Sequence, residues 1–252
     1  MKFEDLYYEE ITAAAFQELL RVGRWYNRFF GYYPVLVGGW AVYHYNSTGL
    51  GSRDIDFIFP DRRVKDQTVN QYMLLNGYTR QRLSEFEETY ALMVKTPKRE
   101  ERVYLDVATV EDANRLHGAD VELPWRLAYQ HQRLAVIADT KLYVPNPEVL
   151  LLFKAKAALD REYDAKRAFD PFYLQQKAWK DYYDMASLLK SCEFNIELLG
   201  ELLLRHRFKP FFEKAISSLG RKRSVLERHG VRWKELKDAL KGLGESSRQG
   251  SL

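Results

Sequence analysis

Two aspartates set in a run of large apolar residues constrain this chain more than any other part of its sequence. Asp54 and Asp56 flank Ile55 and are followed by three more apolar residues at 57–59. This alternation predicts a β-strand, in which residues two apart project from the same face. Two carboxylates that close repel each other unless a cation lies between them. The pair therefore predicts a site for a hard cation such as Mg²⁺, which takes oxygen ligands and binds substrate phosphates.

A pair of glycines lies fifteen residues upstream of the first aspartate. Gly38 and Gly39 end an apolar run at 35–37, which predicts a short strand, and precede a helix predicted over 40–45. A backbone without Cβ can approach a phosphate closely, and a helix N-terminus favours an anion. A glycine pair alone often marks only a tight turn, and an Asp-x-Asp alone is often solvated. Their order and spacing are more specific than either feature and predict one phosphate-binding site.

A third carboxylate, Asp106, belongs to a later strand predicted over 102–109. It alternates with aliphatic residues, so its side chain faces away from the aliphatic side of that strand. We expect it to share a face with Asp54 and Asp56. The ordinary alternative is a carboxylate on the solvent side of a strand end.

In this order the segments resemble the polymerase-β-like nucleotidyltransferase superfamily, whose pattern is an apolar-Gly-Gly segment, a helix, and Ser-x-Asp-x-Asp on a strand. Ser52 supplies the serine. The resemblance is closest to stand-alone nucleotidyltransferases of the abortive-infection toxin type, because two later motifs also match. One is Pro-x-x-Leu-x-x-x-Lys, ending at Lys154, and the other is Lys/Arg-Asp-x-x-Asp, formed by Lys180, Asp181 and Asp184.

The resemblance implies Mg²⁺-dependent transfer of a nucleoside monophosphate from an NTP to an acceptor hydroxyl, with release of pyrophosphate. It implies that Asp54 and Asp56 hold two Mg²⁺ ions and that Asp106 is the third ligand and candidate base. It assigns nucleotide binding to a further set of residues. These are Gly38, Gly39, Ser52, Lys154 as the triphosphate contact, and Asp181 and Asp184, which orient Lys154 or the substrate.

Ordinary alternatives stand beside the later motifs. A lysine on an apolar helical stripe, such as Lys154, usually extends to solvent, and Asp181 and Asp184 are spaced for ion pairs on a helix surface. The toxin-type proteins also carry an arginine a few residues before the serine, which this chain lacks; Arg53 is the candidate substitute for that phosphate contact. This departure leaves open a non-catalytic nucleotide sensor, or a partner-binding module, that keeps the same fold.

The overall pattern predicts an α+β protein with two domains, a nucleotidyltransferase domain with a small mixed sheet at 1–144 and a helical domain at 145–252. In the first domain we predict helices and strands besides those named above. The helices are at 6–29, 63–75 and 123–130, and the strands at 78–83, 89–95 and within 134–144. In the second domain the predicted helices are at 147–163, 175–190, 196–204, 209–219 and 226–243, before a frayed tail at 244–252.

Composition limits the setting and the partners. Cys192 is the only cysteine, which excludes an intramolecular disulfide and favours a reducing cytoplasm. No apolar run is long enough to span a membrane, so we expect no membrane partner. Residues 201–241 hold twelve Lys or Arg against five Asp or Glu, a basic segment that would suit an RNA or tRNA acceptor or be a solvated helix surface. A protein or small-molecule acceptor fits the donor motifs equally well, and the motifs leave the nucleotide and the oligomeric state open.

Overall fold

A mixed β-sheet dominates the first half of the chain. The structure is a computed structural model and describes residue 7 and residues 9–47, 49–81, 88–228, 230, 232 and 234. Within these residues the sheet has seven strands. They are β1 (Val35–Val37), β2 (Asp54–Phe59), β3 (Thr79–Gln81), β4 (Glu88–Lys95), β5 (Glu100–Thr109), β6 (Gln132–Ile137) and β7 (Thr140–Pro145).

The strand order is β3-β4-β5-β2-β1-β7-β6. β2 runs parallel to β5 and β1 runs parallel to β7, whereas the other neighbours are antiparallel. Both parallel pairs are joined by long crossovers, as parallel pairing requires. The pairing of β2 with β5 is the one that matters for function, because it brings together two segments about fifty residues apart in sequence.

Four helices accompany the sheet among the described residues: α1 (Glu9–Phe30), α2 (Gly38–Tyr45), α3 (Arg62–Thr68) and α4 (Arg126–Gln130). The helix predicted over 63–75 is regular only in its first half. A π-helical turn, Val69–Met73, and a 3-10 turn, Leu74–Asn76, follow α3, and Gly77 ends the segment with φ +83°. The predicted α+β class is confirmed.

A buried carboxylate ties α1 to the π-helical turn. Glu18 is only 2% exposed. Its Oε1 accepts hydrogen bonds from the hydroxyls of Tyr72, at 2.7 Å, and Tyr78, at 2.9 Å, and its Oε2 accepts one from Arg21 at 2.7 Å. A buried charge is tolerated only when it is paired and hydrogen-bonded. The π-helical turn therefore contributes to packing, because it places the Tyr72 hydroxyl next to this carboxylate.

Helices form the rest of the described chain. They are α5 (Pro147–Ala165), α6 (Pro171–Ser191), α7 (Ile196–Arg205), α8 (Lys209–Arg221) and α9 (Arg223–Arg228). Asp170 caps α6 by accepting a hydrogen bond from the Phe172 backbone N–H at 3.1 Å, and Asn195 caps α7 in the same way. Predicted structure at residues 6, 8, 82–83, 229, 231, 233 and 235–252 lies outside the described residues. Among the described residues, no helix combines the length and apolar character needed to cross a bilayer.

The chain divides into two compact units: Met1–Ala113 with Pro124–Asn146, and Asn114–Leu123 with Pro147–Leu252. The sequence analysis assigned 114–123 to the first domain, whereas this loop packs with the helices. Two hydrogen bonds between Asn114 and Leu123 close the loop, at 2.7 and 3.1 Å. The His117 backbone N–H then donates to Asp160 on α5 at 2.8 Å.

We expect Tyr78→Phe to lower the free energy of unfolding by about 1.5–3 kcal/mol, because it removes one hydrogen bond to a buried carboxylate. Urea unfolding measures the change. Tyr173→Phe is the control, since Tyr173 is 42% exposed and should change stability by less than about 0.5 kcal/mol. Equal losses in the two variants would contradict a stabilising role for the Glu18 cluster.

Candidate active site

Four residues from four neighbouring strands form one row across the sheet. Asp56 on β2 is paired in register with Asp106 on β5. On the far side of Asp106 the partner is Thr89 of β4, and on the far side of Asp56 it is Val37 of β1. Neighbouring strands lie about 4.8 Å apart. The row therefore places two of the three predicted carboxylates side by side.

The two faces of these strands differ in how deeply their side chains are buried. Asp54, Asp56 and Asp106 are partly exposed, while the residues that alternate with them, such as Ile55 and Leu105, are fully buried. Full burial of one large apolar side chain contributes about 1.5–3 kcal/mol. Several such side chains outweigh the repulsion between partly exposed carboxylates, about 1–4 kcal/mol for a pair at 4 Å. Packing on one face thus holds like charges together on the other.

The first glycine of the pair lies directly against this row. Gly38 follows Val37, is the first residue of α2 and has φ +69°. An ideal Cβ at this position would lie 1.9 Å from Oδ2 of Asp56 and 2.5 Å from its Cγ. Only glycine fits here, because both the backbone conformation and the close approach of the carboxylate exclude a side chain. The helix predicted from residue 40 begins at Gly38, so Gly39 lies inside its first turn.

Two hydroxyl groups orient the aspartates. Ser52, which is 6% exposed, accepts a hydrogen bond on Oγ from the backbone N–H of Asp54 at 3.4 Å. The buried Thr89 hydroxyl donates to Oδ1 of Asp106 at 2.6 Å. The sequence analysis did not find Thr89, because its role depends on the register between β4 and β5, which no local pattern reveals.

The donor set suits Mg²⁺ chemically, since all three side chains offer hard carboxylate oxygens. Among the described residues, however, no group of three or more His, Cys, Asp or Glu side chains is arranged to hold a metal ion. The aspartates therefore do not form a closed three-ligand cage. Magnesium commonly takes one or two protein carboxylates and completes its shell with water and substrate phosphates. Two aspartates that lie side by side, next to a stretch of backbone without a side chain, meet that requirement.

Arg53, the candidate substitute for the missing arginine, is anchored to β5. Its Nε donates to the Arg102 carbonyl oxygen at 2.7 Å, and its Nη2 pairs with Glu101 at 3.2 Å. The guanidinium also lies 5.2 Å from the centroid of the Tyr104 ring. These contacts support the β2–β5 pairing directly beside Asp54. A phosphate contact by Arg53 stays a prediction.

The residues of the two later motifs meet in a buried cluster within the helical unit. Asp181 and Asp184 on α6 are each 1% exposed. Lys154 on α5 bridges them, with Nζ 3.1 Å from Oδ1 of Asp181 and 2.7 Å from Oδ2 of Asp184. Arg161 pairs with the other oxygen of Asp181, and Lys180 with the other oxygen of Asp184. Every carboxylate oxygen thus has one cation, and Lys154 is held between the two aspartates.

This cluster contains three cations, Lys154, Arg161 and Lys180, and two carboxylates. Burial lowers the pKa of the Lys180 ammonium; Asp184 acts against this shift, and Lys154 reinforces it. Arg161 was not found from the sequence, although it lies seven residues, about two helical turns, after Lys154 and so on the same face of α5. Its side chain is 32% exposed, which makes it the most accessible cation of the cluster.

Three of the twelve cations in the basic segment predicted to face nucleic acid form ion pairs within the protein. Lys222 forms an ion pair with Glu162 at 3.2 Å and lies 4.8 Å from the Tyr182 ring centroid. Arg221 donates to the Ser218 hydroxyl at 2.8 Å. Two further ion pairs within helices involve Arg223 with Glu227 and Arg205 with Glu201. Trp233 and the cations beyond residue 234, which also belong to the segment 201–241, lie outside the described part of the chain.

Comparison with solved structures identifies chains of similar fold. The chain is similar to JHP933 from Helicobacter pylori, with a TM-score of 0.51 and 17% identity over 96% of each chain. It is also similar to an antigenic nucleotidyltransferase-like protein from Paracoccidioides brasiliensis (TM-score 0.49, 15% identity, 92% of this chain and 94% of that chain). A third is ANT(2")-Ia in complex with adenylyl-2"-tobramycin (TM-score 0.43, 16% identity, 76% of this chain and 97% of that chain). No protein-family model and no curated protein matches the sequence. At these identities the likeness shows the fold.

We expect Gly38→Ala to destabilise the protein more than Gly31→Ala does. Both glycines have similar backbone angles, φ +69° and +75°, but a Cβ at Gly31 would meet nothing within 4 Å. Gly31→Ala therefore isolates the cost of the left-handed conformation, about 1–2 kcal/mol. Gly38→Ala should cost a further 1–3 kcal/mol or so through overlap with Asp56. Urea unfolding measures both, and equal losses would show that Gly38 and Asp56 are not in contact.

The cluster on α5 and α6 leads to a prediction about pH. Because the pKa of Lys180 is lower in the folded state, the unfolded chain binds more protons between that value and the ordinary pKa of lysine, and stability rises with pH in this interval. Lys180→Met removes the titrating group and with it this dependence of stability on pH. Its stability relative to the parent should therefore be highest near pH 7 and decline toward pH 10.

Urea unfolding of both proteins at several pH values tests this, with the exposed Lys214→Met as control. Asp184→Asn removes an anion that pairs with Lys154 and Lys180, so we expect it to cost about 3–5 kcal/mol. A pH-independent difference between Lys180→Met and the parent would contradict the assignment.

Proposed function

We propose that this protein is a Mg²⁺-dependent nucleotidyltransferase that transfers a nucleoside monophosphate from an NTP to an acceptor hydroxyl. The observation that carries the proposal is the contact between Gly38 and Asp56, beside the register pair of Asp56 and Asp106. The backbone at Gly38 has no side chain, which leaves room for the phosphates of a bound nucleotide. The two adjacent carboxylates offer hard ligands for the cation that accompanies those phosphates.

In the proposed reaction the acceptor oxygen forms a bond to the α-phosphorus, and the bond between that phosphorus and the bridging oxygen of pyrophosphate breaks. When bound, Mg²⁺ supplies charge neutralisation at the phosphates. Asp54 and Asp56 are the residues that would hold it, with Asp106 as the third carboxylate ligand. Asp106 accepts the proton of the acceptor hydroxyl, and Thr89 fixes the orientation of this carboxylate through its hydrogen bond to Oδ1.

On the phosphate side, the backbone at Gly38 and Gly39 and the hydroxyl of Ser52 are the proposed contacts. Lys154 keeps the role that the resemblance gives it, a contact to the triphosphate. The cluster supports this role because it holds the Lys154 ammonium in one position between Asp181 and Asp184. Asp181 and Asp184 act as positioning residues for Lys154.

The finer assignment, to stand-alone nucleotidyltransferases of the abortive-infection toxin type working in the cytoplasm, rests on the motifs at 147–154 and 180–184 and on the single cysteine. The acceptor is an RNA or tRNA end, a protein hydroxyl or a small molecule. Labelling a cell lysate with each of the four NTPs, each labelled on its α-phosphate, distinguishes these classes by the mobility and nuclease or protease sensitivity of the product.

Asp56→Asn is the direct test of the proposal. We expect it to abolish Mg²⁺-dependent NTP binding and pyrophosphate release, a loss of at least a hundredfold, while leaving the unfolding transition near that of the parent. Asp139→Asn is the control because it also removes one carboxylate, at the exposed β6–β7 hairpin, and should keep full binding and turnover.

A fully active Asp56→Asn protein would contradict the proposal. NTP binding that depends on Asp56 but yields no turnover on RNA, protein and small-molecule acceptors would instead identify a nucleotide sensor.

A further inference from the structure

The connection between α5 and α6 exposes an unusual number of aromatic rings. Phe169 is completely exposed, at 107% of its reference value. Phe172 and Tyr173, in the first turn of α6, are 44% and 42% exposed. Three large rings thus face water within five residues, at a place in the fold where no packing requirement explains them. Large exposed apolar groups gathered in one patch are a mark of a binding surface.

The segment 161–177 carries four cations and three carboxylates, and one of each is paired with a group outside the segment. Glu162 is paired with Lys222, and Asp164 is hydrogen-bonded to the His117 ring at 2.9 Å. Asp170 is used as the N-cap of α6. The three acidic side chains of the segment 161–177 are therefore engaged within the helical unit.

The neighbouring cations stand next to aromatic rings. Lys166 and Arg167 are both exposed. Arg167 places its guanidinium carbon 3.9 Å from the Tyr163 ring centroid, and Lys177 places its Nζ 5.8 Å from that of Tyr173. Rings and cations are interspersed along the segment, so a ligand that offers both flat apolar rings and negative charges matches the surface.

We propose that this aromatic-basic surface, formed by Tyr163, Lys166, Arg167, Phe169, Phe172 and Tyr173, binds single-stranded RNA. Unstacked bases would lie on the exposed rings, and the intervening phosphates would pair with Lys166 and Arg167. The inference rests on the proposed function in one respect only, which is that the bound RNA is the acceptor. Binding itself requires neither NTP nor Mg²⁺.

Two other kinds of partner match the surface less well. Stable adsorption to a membrane uses an extended apolar face along an amphipathic helix, whereas here the apolar groups are confined to a short turn and one helical turn. A protein pocket would accept Phe169 but would give no reason for cations beside the rings. RNA accounts for both the rings and the charges.

The test is fluorescence anisotropy of a labelled 12-nucleotide oligouridylate with the full-length protein in the absence of NTP. We expect Phe169→Ala to weaken binding about tenfold, in line with the loss of one stacked base. Leu204→Ala is the matched control, because Leu204 is also highly exposed in the helical unit, at 68%, but lies on α7. It should bind like the parent, and neither substitution removes a buried side chain.

A second pair of variants addresses the charges. Replacing both Lys166 and Arg167 by Gln should reduce the slope of log affinity against log salt by about 1.4, since each contact to a single-stranded phosphate contributes about 0.7. Lys214→Gln, an exposed cation on α8, should leave the slope unchanged. An equal reduction of the slope by Lys214→Gln would show that the attraction is a general effect of charge and would overturn the proposal.

Two further results would overturn the inference. One is parent-like RNA binding by Phe169→Ala, and the other is binding to vesicles of anionic phospholipid in place of RNA. Failure of this inference and failure of the proposed function are distinguishable. The first leaves the dependence of NTP binding on Asp56 intact, whereas the second leaves RNA binding by the Phe169 surface intact.

Discussion

The parallel pairing of β2 with β5 is the constraint on which the candidate site depends. A shift of one residue in this register would turn Asp106 to the opposite face of the sheet from Asp56. Such a shift would also expose Ile55 or Leu105, which are now fully buried. Arg53 reinforces the correct register from the end of β2 through its bonds to Glu101 and Arg102. The apolar face of the strands thus selects the arrangement of the carboxylates on the other face.

The helical unit solves a comparable problem in a different way. Its charges are deeply buried, so they cannot rely on water for stabilisation, and each carboxylate oxygen of Asp181 and Asp184 has a cation of its own. Desolvation makes such a cluster a poor source of net stability. Its value lies in geometry, because Lys154 is fixed between two carboxylates and cannot adopt the extended conformation toward solvent that an isolated lysine prefers.

The sequence predicted those parts of the structure that local patterns determine. Alternation located β2 and β5, and a motif identified Lys154, Asp181 and Asp184. The residues it missed owe their roles to tertiary contacts. Thr89 reaches Asp106 only through the antiparallel pairing of β4 with β5. Loop 114–123 joined the helices because His117 meets Asp160, and neither contact leaves a periodic trace in the sequence.

The charges counted along the sequence and the charges that remain after ion pairing in the structure indicate different binding surfaces. The C-terminal segment has the larger surplus of Lys and Arg, yet Lys222, Arg223 and Arg205 each have a carboxylate partner. Around Phe169 the surplus is smaller, but Asp164 and Asp170 are already engaged by the protein. A ligand responds to the charge that remains after internal pairing, because a paired cation must first give up its partner. The ion pair between Lys222 and Glu162 removes one cation from the basic segment and one carboxylate from the neighbourhood of the Phe169 surface.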